Sequence, residues 1–301
     1  MKQKRLIELS LWLVVLIWAG NYTIGKFGIR DFSPNIFTLL RFSIATPIMY
    51  GLLFWREGGL NYSREFLPRI VIIGIVGVAL YQSMFMTALK YTTATTVALM
   101  LGISPISTAI CGAITGQEKI SSSVILGCFT SFIGLFMVIK FGYGELGLSM
   151  ATLYGDFIAF AAGVLWGIYP ILVTPILKKH SALWATSHTS LIGTICLLIY
   201  SWPEIGNIDW YAISIPAWVS LFYSAIPVTV IALILWYSGI EKIGSNQVMI
   251  YMYMITPVAI AIAALVIDER VNLLQGIGAL IAMLGVYLVK KRPARDYAEK
   301  Q

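Results

Sequence analysis

Two stretches of this chain repeat one pattern 151 residues apart. Residues 118–139 read EKISSSVILGCFTSFIGLFMVI, and residues 269–289 read ERVNLLQGIGALIAMLGVYLV. Each stretch begins with a Glu and a basic residue and then runs apolar, with one Gly nine residues after the Glu and another seven residues later. Near the start of the chain the offset is 148, which pairs Trp18 with Trp166. The chain therefore consists of two related halves, and the number of helices in each half decides how they face each other.

The apolar content of the chain favours a lipid environment. Of its 301 residues 58% are hydrophobic and 12% are charged, whereas a soluble domain has about 25% charged residues. A membrane helix needs roughly 20 mostly apolar residues. The first apolar run is too long for a signal peptide and lacks a small-residue cleavage site, so it is interpreted as the first span. We predict an all-α integral membrane protein with ten transmembrane helices, at about 8–28, 34–55, 68–89, 94–116, 123–141, 153–177, 182–202, 214–238, 247–267 and 271–289.

The basic residues predict the orientation of these spans. With the N terminus in the cytoplasm, 15 Lys and Arg residues lie on the inner side and four on the outer side, while Lys26 and Arg41 lie within spans. This bias places both termini in the cytoplasm and the chain in the inner (cytoplasmic) membrane as a multi-pass protein. The net charge of +7 resides in short loops and tails, which argues against a nucleic-acid partner.

Ten spans in two halves give five spans each. Because five is an odd number of crossings, the second half starts on the opposite side of the membrane and has the inverted orientation. We predict a first five-helix repeat over 1–148, a second, inverted repeat over 149–292 and a cytoplasmic tail over 293–301. Inverted repeats are typical of secondary transporters, whose binding site lies between the two halves. A duplicated scaffold without transport activity is the alternative.

Five segments resemble the EamA-type carriers of the drug/metabolite transporter superfamily, over essentially the whole chain. They are VLIWAGNYTIGK, LLRFSIATP, ALMLGISPISTAICGAITGQEK, GDFIAFAAGVLWGIYPIL and MITPVAIAIAALVIDER. The resemblance implies a basket of ten helices around a central cavity, alternating access and export of small metabolites. Amino acids and their derivatives are frequent substrates in that family; drugs, vitamins and nucleotide-like compounds also occur. Pro105 and Glu118 are 13 residues apart but Pro257 and Glu269 only 12, which leaves the register of the ninth helix open.

Polar and aromatic side chains inside the spans are the candidates for a substrate cavity. Lipid cannot solvate a polar group, so such residues face protein or water. An aromatic cavity binds organic molecules through contact area and stacking, and it attracts ammonium groups. A single aromatic residue is more often part of core packing or an interface anchor, so the prediction rests on the set rather than on any one member. The candidates are Trp18, Asn21, Tyr22, Arg41, Tyr81, Gln82, Phe85, Trp166, Tyr169, His188, Tyr223, Gln247 and Tyr251.

Three of these candidates each have two interpretations. Asn21 either binds substrate or makes a hydrogen bond between helices, because an amide both donates and accepts. Arg41 either neutralises a substrate carboxylate or binds helix-end carbonyls. His188 either carries a proton, since its unperturbed pKa is near neutrality, or is held in a structural hydrogen bond.

The prolines and acids of the spans are candidates for moving parts. Pro105 and Pro257 are predicted to kink the fourth and ninth helices, because proline frees a carbonyl inside a helix. Glu118 and Glu269 lie at helix boundaries as caps or gates. None of the 14 acidic residues falls at mid-membrane, which argues against a carboxylate proton relay and favours gradient-driven exchange or uniport.

Other function classes find little support. The chain has two histidines, no nucleophile elbow, no metal-ligand cluster and no cofactor or nucleotide-binding motif, so neither an enzyme nor an ATP-driven pump is indicated. A channel is a further, distant alternative. The expected partners are a small-molecule substrate and the lipid bilayer, with no obligatory protein partner evident. We predict an exporter of small amphiphilic metabolites, most plausibly amino acids or derivatives; the alternative is a multidrug or vitamin/nucleotide-like permease.

Overall fold

The computed structural model describes residues 2–59, 63–92, 94–118, 121–141, 152–267 and 272–290. These residues form helices joined by short connections, and no strand occurs among them. In the first half the helices are α1 (Lys2–Asp31), α2 (Pro34–Glu57), α3 (Leu67–Ile73), α4 (Tyr81–Tyr91), α5 (Ala94–Leu101), α6 (Ser104–Ile114) and α7 (Ser122–Lys140). In the second half they are α8 (Leu153–Leu177), α9 (Ala182–Ile205), α10 (Ile215–Tyr223), α11 (Ala232–Ile243), α12 (Ser245–Met249), α13 (Met252–Ile267) and α14 (Leu273–Lys290).

Two π-helical segments join shorter helices into longer ones. Gly74–Leu80 connects α3 to α4, and Ser224–Ile231 connects α10 to α11. The two segments begin 150 residues apart, at equivalent places in the two halves. A π-helical turn carries an extra residue, and such turns are frequent at functional sites.

Seven helical segments are long and apolar enough to cross a membrane, and each falls at a predicted span. They are Pro34–Glu57, Arg64–Tyr91, Thr96–Ile114, Ser122–Lys140, Leu153–Leu177, Ala182–Ile205 and Ile215–Ile243. The described parts of the other three predicted spans are helical too, in α1, in α12 with α13, and in α14. The protein is therefore a multi-pass membrane protein; ten crossings and the position of the termini stay predictions.

The predicted fourth and ninth spans are not single regular helices. The fourth is interrupted after Leu101, and Pro105 lies in the first turn of α6 rather than inside a helix. The interruption directly precedes Pro105, where a first-turn proline has no intrahelical N–H bond to lose, and a role for Pro105 in kinking the span stays a prediction. The ninth span is interrupted between α12 and α13, and Pro257 lies inside α13 as expected.

Residues of one half meet their own counterparts in the other. Trp18 and Trp166, 148 residues apart, have ring centroids 5.7 Å apart. The hydroxyls of Thr46 and Thr194, also 148 residues apart, lie 2.9 Å from each other. Ser131 donates a hydrogen bond of 3.0 Å to the carbonyl of Ala282, at the offset of 151. A residue touches its own counterpart only close to a two-fold axis, so these three pairs trace a pseudo-two-fold axis through the molecule.

The glycines of the repeated stretch explain why the stretch occurs twice. A Cβ atom on Gly134 would lie 2.6 Å from the carbonyl oxygen of Gly278, and one on Gly127 would lie 2.7 Å from that of Gly285. The two contacts are exchanged by the repeat, because Gly127 corresponds to Gly278 and Gly134 to Gly285. Helices α7 and α14 therefore pack backbone against backbone, which only small residues permit in a membrane.

Glu118 connects the halves at one end of the molecule. Its carboxylate accepts hydrogen bonds from the backbone N–H groups of Ser245, at 2.7 Å, and Asn246, at 3.2 Å. These are the first residues of α12, where a negative charge satisfies free N–H groups. Of the two roles considered, cap or gate, the geometry matches a cap. Glu269 lies outside the described residues.

Candidate functional site

A small cavity of about 60 Å³ lies between the two halves, close to the paired tryptophans. This volume is below the range of about 300–1,000 Å³ that is usual for small-molecule sites, so a bound substrate requires the cavity to widen. Helices from both halves contribute to the wall. The lining residues are Trp18, Asn21, Arg41, Tyr81, Gln82, Phe85, Leu101, Trp166, Val228, Leu233, Met252 and Ile255.

The aromatic part of the wall is centred on Trp166 of α8. Its ring stacks on Tyr81, with centroids 4.8 Å apart and planes inclined by 21°, and it meets Trp18 edge-on. Tyr81 in turn stacks on Phe85 one turn along α4, at 6.2 Å. These side chains form a packed aromatic cluster, part of which lines the cavity.

The two tryptophan N–H groups are fixed by neighbours from the second half. Trp18 Nε1 donates to the carbonyl of Val228 at 3.3 Å, and Trp166 Nε1 donates to the sulfur of Met252 at 3.4 Å. The Val228 carbonyl belongs to the π-helical segment Ser224–Ile231. Buried tryptophan N–H groups usually need such a partner, and here the bonds also orient both rings.

Arg41 supplies the cation of the cavity. The side chain is 4% exposed, and its Nε donates to the hydroxyl of Thr229 at 2.5 Å. Its Nη1 lies 3.4 Å from Oε1 of Gln82, at the long limit of a hydrogen bond. Among the described residues the ion pairs are Lys179–Glu65 and Lys242–Glu241, so Arg41 has no carboxylate partner in that part of the chain.

A short polar network extends from Arg41 to α1. Thr229 donates to the carbonyl of Ser224 at 2.7 Å, and the hydroxyl of Ser224 donates to Oδ1 of Asn21 at 2.8 Å. Asn21 thus makes the hydrogen bond between helices and also lines the cavity. The two interpretations of Asn21 are compatible, because this bond uses its oxygen and leaves its amide N–H groups as donors.

The remaining predicted site residues lie away from the wall. Tyr169 packs behind Trp166 and Tyr237, with its hydroxyl 3.4 Å from that of Thr189. His188 Nδ1 bonds the carbonyl of Trp184 at 2.9 Å, and its ring stacks on that of Trp184, so the structural interpretation fits its surroundings.

The tyrosines of the ninth and eighth spans also point elsewhere. Tyr223 donates to the carbonyl of Ile17 at 2.9 Å and borders an apolar surface groove. Tyr251 is fully buried edge-on against Trp12, and Gln247 is half-buried in α12. Helical periodicity places residues on faces, but it does not reveal which face meets the cavity. The side chain of Tyr22 lies outside the described residues.

Several contributors were missed in the sequence. Leu101, Val228, Leu233, Met252 and Ile255 carry no polar signal, so nothing separates them from other core residues. Thr229 could have been noticed as a hydroxyl two residues after Pro227 in an apolar run. No group of three or more His, Cys, Asp or Glu side chains suited to a metal occurs in the described part of the chain.

A multi-pass helical protein with two related halves and a polar, aromatic cavity between them has the architecture of a membrane transporter. The family model of the EamA-like transporter family matches the chain twice, over residues 5–140 and 153–290. The chain belongs to this family. A crystal structure of another protein superposes with a TM-score of 0.78 over 94% of this chain and 96% of that one, at 14% identity, which supports the fold.

Curated relatives cover nearly the full length. One from Archaeoglobus fulgidus, named an uncharacterized transporter, is 28% identical over 93% of this chain and 96% of its own. A probable terminal-alkyne amino-acid exporter of Streptantibioticus cattleyicolor is 23% identical over 94% and 93%. A probable amino-acid metabolite efflux pump of Escherichia coli is 22% identical over 92% of each chain.

Proposed function

We propose that this transporter carries small amphiphilic metabolites that bear a carboxylate, most plausibly amino acids or their derivatives. The observation that carries the proposal is Arg41, a buried cation in the cavity wall whose described hydrogen-bond partners, Thr229 and Gln82, are neutral. Burying a charge without an opposite charge is costly, so such a group is retained where function requires it. A substrate carboxylate would supply the missing charge through parallel N–H···O bonds.

The aromatic wall complements this cation. Trp166, Tyr81 and Phe85 line the same cavity as Arg41, and an apolar or aromatic substrate side chain would pack against them. Aromatic rings also attract an ammonium group where a ring face is open. A carboxylate held by Arg41 and an apolar or cationic remainder held by the rings describe an amino acid or a close derivative. Two distant relatives with amino-acid exporter or efflux names fit the same substrate class.

The proposal also covers membrane orientation, transport direction and energy source. We propose that the protein lies in the inner (cytoplasmic) membrane with both termini in the cytoplasm. We also propose that it exports its substrate by alternating access. The residues that line the cavity in the described structure include no Asp or Glu, so substrate-gradient exchange or uniport fits better than proton coupling.

Counterflow in proteoliposomes without an ion gradient tests this function. Labelled amino acids and their α-amides, which lack the carboxylate, are compared for the wild type, Arg41→Lys and Arg41→Gln. We expect saturable uptake of the acids, weak uptake of the amides, partial activity with Arg41→Lys and a loss of the preference for acids with Arg41→Gln. Equal transport of acid and amide by the wild type would contradict the assignment.

The second candidate is a multidrug or vitamin-like permease, which the extent of the aromatic wall favours. Such a carrier would select by contact area rather than by charge. Arg41→Gln would then leave transport of neutral and cationic aromatic compounds intact, while Trp166→Ala would abolish it. The same counterflow assay, run with aromatic drugs, separates the two.

A further inference from the structure

The hydroxyl of Thr229 donates to a different backbone carbonyl of its own helix than the hydroxyls of three other helical threonines do. The hydroxyls of Thr38, Thr174 and Thr194 donate to the carbonyl four residues earlier. Thr229 donates to the carbonyl of Ser224, five residues earlier, at 2.7 Å. The difference arises because Thr229 lies in the π-helical segment Ser224–Ile231, where one extra residue is wound into the turn.

This bond decides what the hydroxyl offers to Arg41. A hydroxyl has one proton and two lone pairs. The proton is used on the Ser224 carbonyl, so the oxygen faces Nε of Arg41 as an acceptor, at 2.5 Å. Thr229 is fully buried, which excludes water as a competing partner. The pair is thus fixed both in distance and in polarity.

Fixing Nε determines which edge of the guanidinium stays open. Thr229 occupies the Nε side, and Gln82 lies beside Nη1 at 3.4 Å. The donors left for the cavity are those of the two terminal nitrogens, which bind a carboxylate end-on in a bidentate manner. In a regular helix Thr229 would be rotated by about 100°, the angle of one residue, and would not point at Nε.

We propose that Thr229 is a positioning residue that sets the orientation of Arg41 toward a substrate carboxylate, and that the π-helical turn exists in this half to place it. The inference rests on the proposed function. The first half also has a π-helical segment, but counted from the first residue of each segment the position that matches Thr229 is Ala79. Only the second half therefore carries this device.

The test compares Thr229→Val, which keeps the shape and removes the hydroxyl, with Thr229→Ser, which keeps the hydroxyl. A hydrogen bond to a charged group justifies an expected rise of about tenfold or more in KM for a carboxylate substrate with Thr229→Val. The maximal rate and the KM of the matching amide should change less than about threefold on the same reasoning. Thr229→Ser should restore the KM of the acid.

Two outcomes overturn the inference. One is an unchanged acid-to-amide KM ratio in Thr229→Val; the other is a Thr229→Ser variant as defective as Thr229→Val. Thr229→Ala replaces the valine variant if the latter does not insert stably, as judged by its melting temperature. Arg41→Gln distinguishes a failure of the proposed function from a failure of the role of Thr229. If Arg41→Gln also leaves the acid-to-amide KM ratio unchanged, the proposed function fails. If Arg41→Gln removes the preference for acids and Thr229→Val does not, only the role of Thr229 fails.

Discussion

Replacing Gln82 by Glu places a carboxylate where the structure has a neutral oxygen 3.4 Å from Nη1 of Arg41. The new side chain has nearly the same shape, and it pairs with the guanidinium from within the protein. A substrate carboxylate then has to compete with an internal one. We expect carboxylate transport to be lost while the fold is retained, which is the opposite pattern from a packing defect.

The geometry gives the size of the effect. Two unit charges about 3.4 Å apart attract by about 5 kcal/mol at an effective dielectric constant of 20. Desolvation of the new carboxylate offsets part of this, so about 3 kcal/mol remains as a working value. That corresponds to a loss of roughly 100-fold in affinity for carboxylate substrates.

The assay is counterflow in proteoliposomes with a matched melting curve. Gln82→Met serves as the control, because it keeps the length of the side chain without its charge or polarity. We expect Gln82→Met to raise the KM for acids by less than about tenfold, which is the scale of one lost hydrogen bond. Gln82→Glu should melt at or above the wild-type temperature, because the pair with Arg41 compensates a buried charge. A Gln82→Glu protein that transports acids with the wild-type KM would refute the role of Arg41.

Three further changes test other parts of the structure. Trp166→Ala should lower the free energy of unfolding by about 3–5 kcal/mol and abolish transport, whereas Trp166→Phe should retain the fold, as melting and counterflow would show. Gly134→Ala should lower the melting temperature, because its Cβ would lie 2.6 Å from the Gly278 carbonyl oxygen; Gly276→Ala, at a site with open space, should not. Burial lowers the pKa of His180, in the connection between α8 and α9, below its ordinary 6.5, while Glu57 and Glu65 offset part of that shift. The unfolded chain therefore binds a proton at higher pH than the folded one, so stability falls as pH drops below about 6.5, and His180→Gln should flatten that fall in melting temperature.

The sequence predicted the repeat and its spatial consequence because both depend on periodic, strongly apolar segments. The offset that pairs Trp18 with Trp166 in the sequence also pairs them in space, with ring centroids 5.7 Å apart. The glycines at 127, 134, 278 and 285 were visible as a pattern, and the contact between α7 and α14 gives the pattern its physical reason.

The cavity was only partly predictable. Arg41, Gln82 and Trp166 could be selected because a polar or large aromatic side chain inside a span needs a protein or aqueous neighbour. Tyr223 and Tyr251 satisfied the same criterion, yet they pack against α1 instead. Thr229 escaped notice because its direction depends on the extra residue of a π-helical turn. Pro227 indicates an irregularity in the helix, but the sequence does not reveal how many residues the turn contains.

The charge of the cavity breaks the symmetry of the scaffold, and this leads to a last expectation. At the offset of 148 the counterpart of Arg41 is Thr189, whose hydroxyl bonds the Ala185 carbonyl at 2.8 Å. Alternating access exposes the cavity from each side in turn, but among the described lining residues the cation, Arg41, belongs to the first half, so a substrate with one anionic end fits the cavity in one orientation. A second carboxylate would face the half that lacks the cation and would lose its hydration without compensation. We therefore expect dicarboxylic amino acids to be transported at least about tenfold less efficiently than their monoamides, which still carry the α-carboxylate. Counterflow with glutamate and glutamine as a pair measures this difference, and equal efficiency would mean that charge at the second end is solvated or paired in a way that the cavity around Arg41 does not account for.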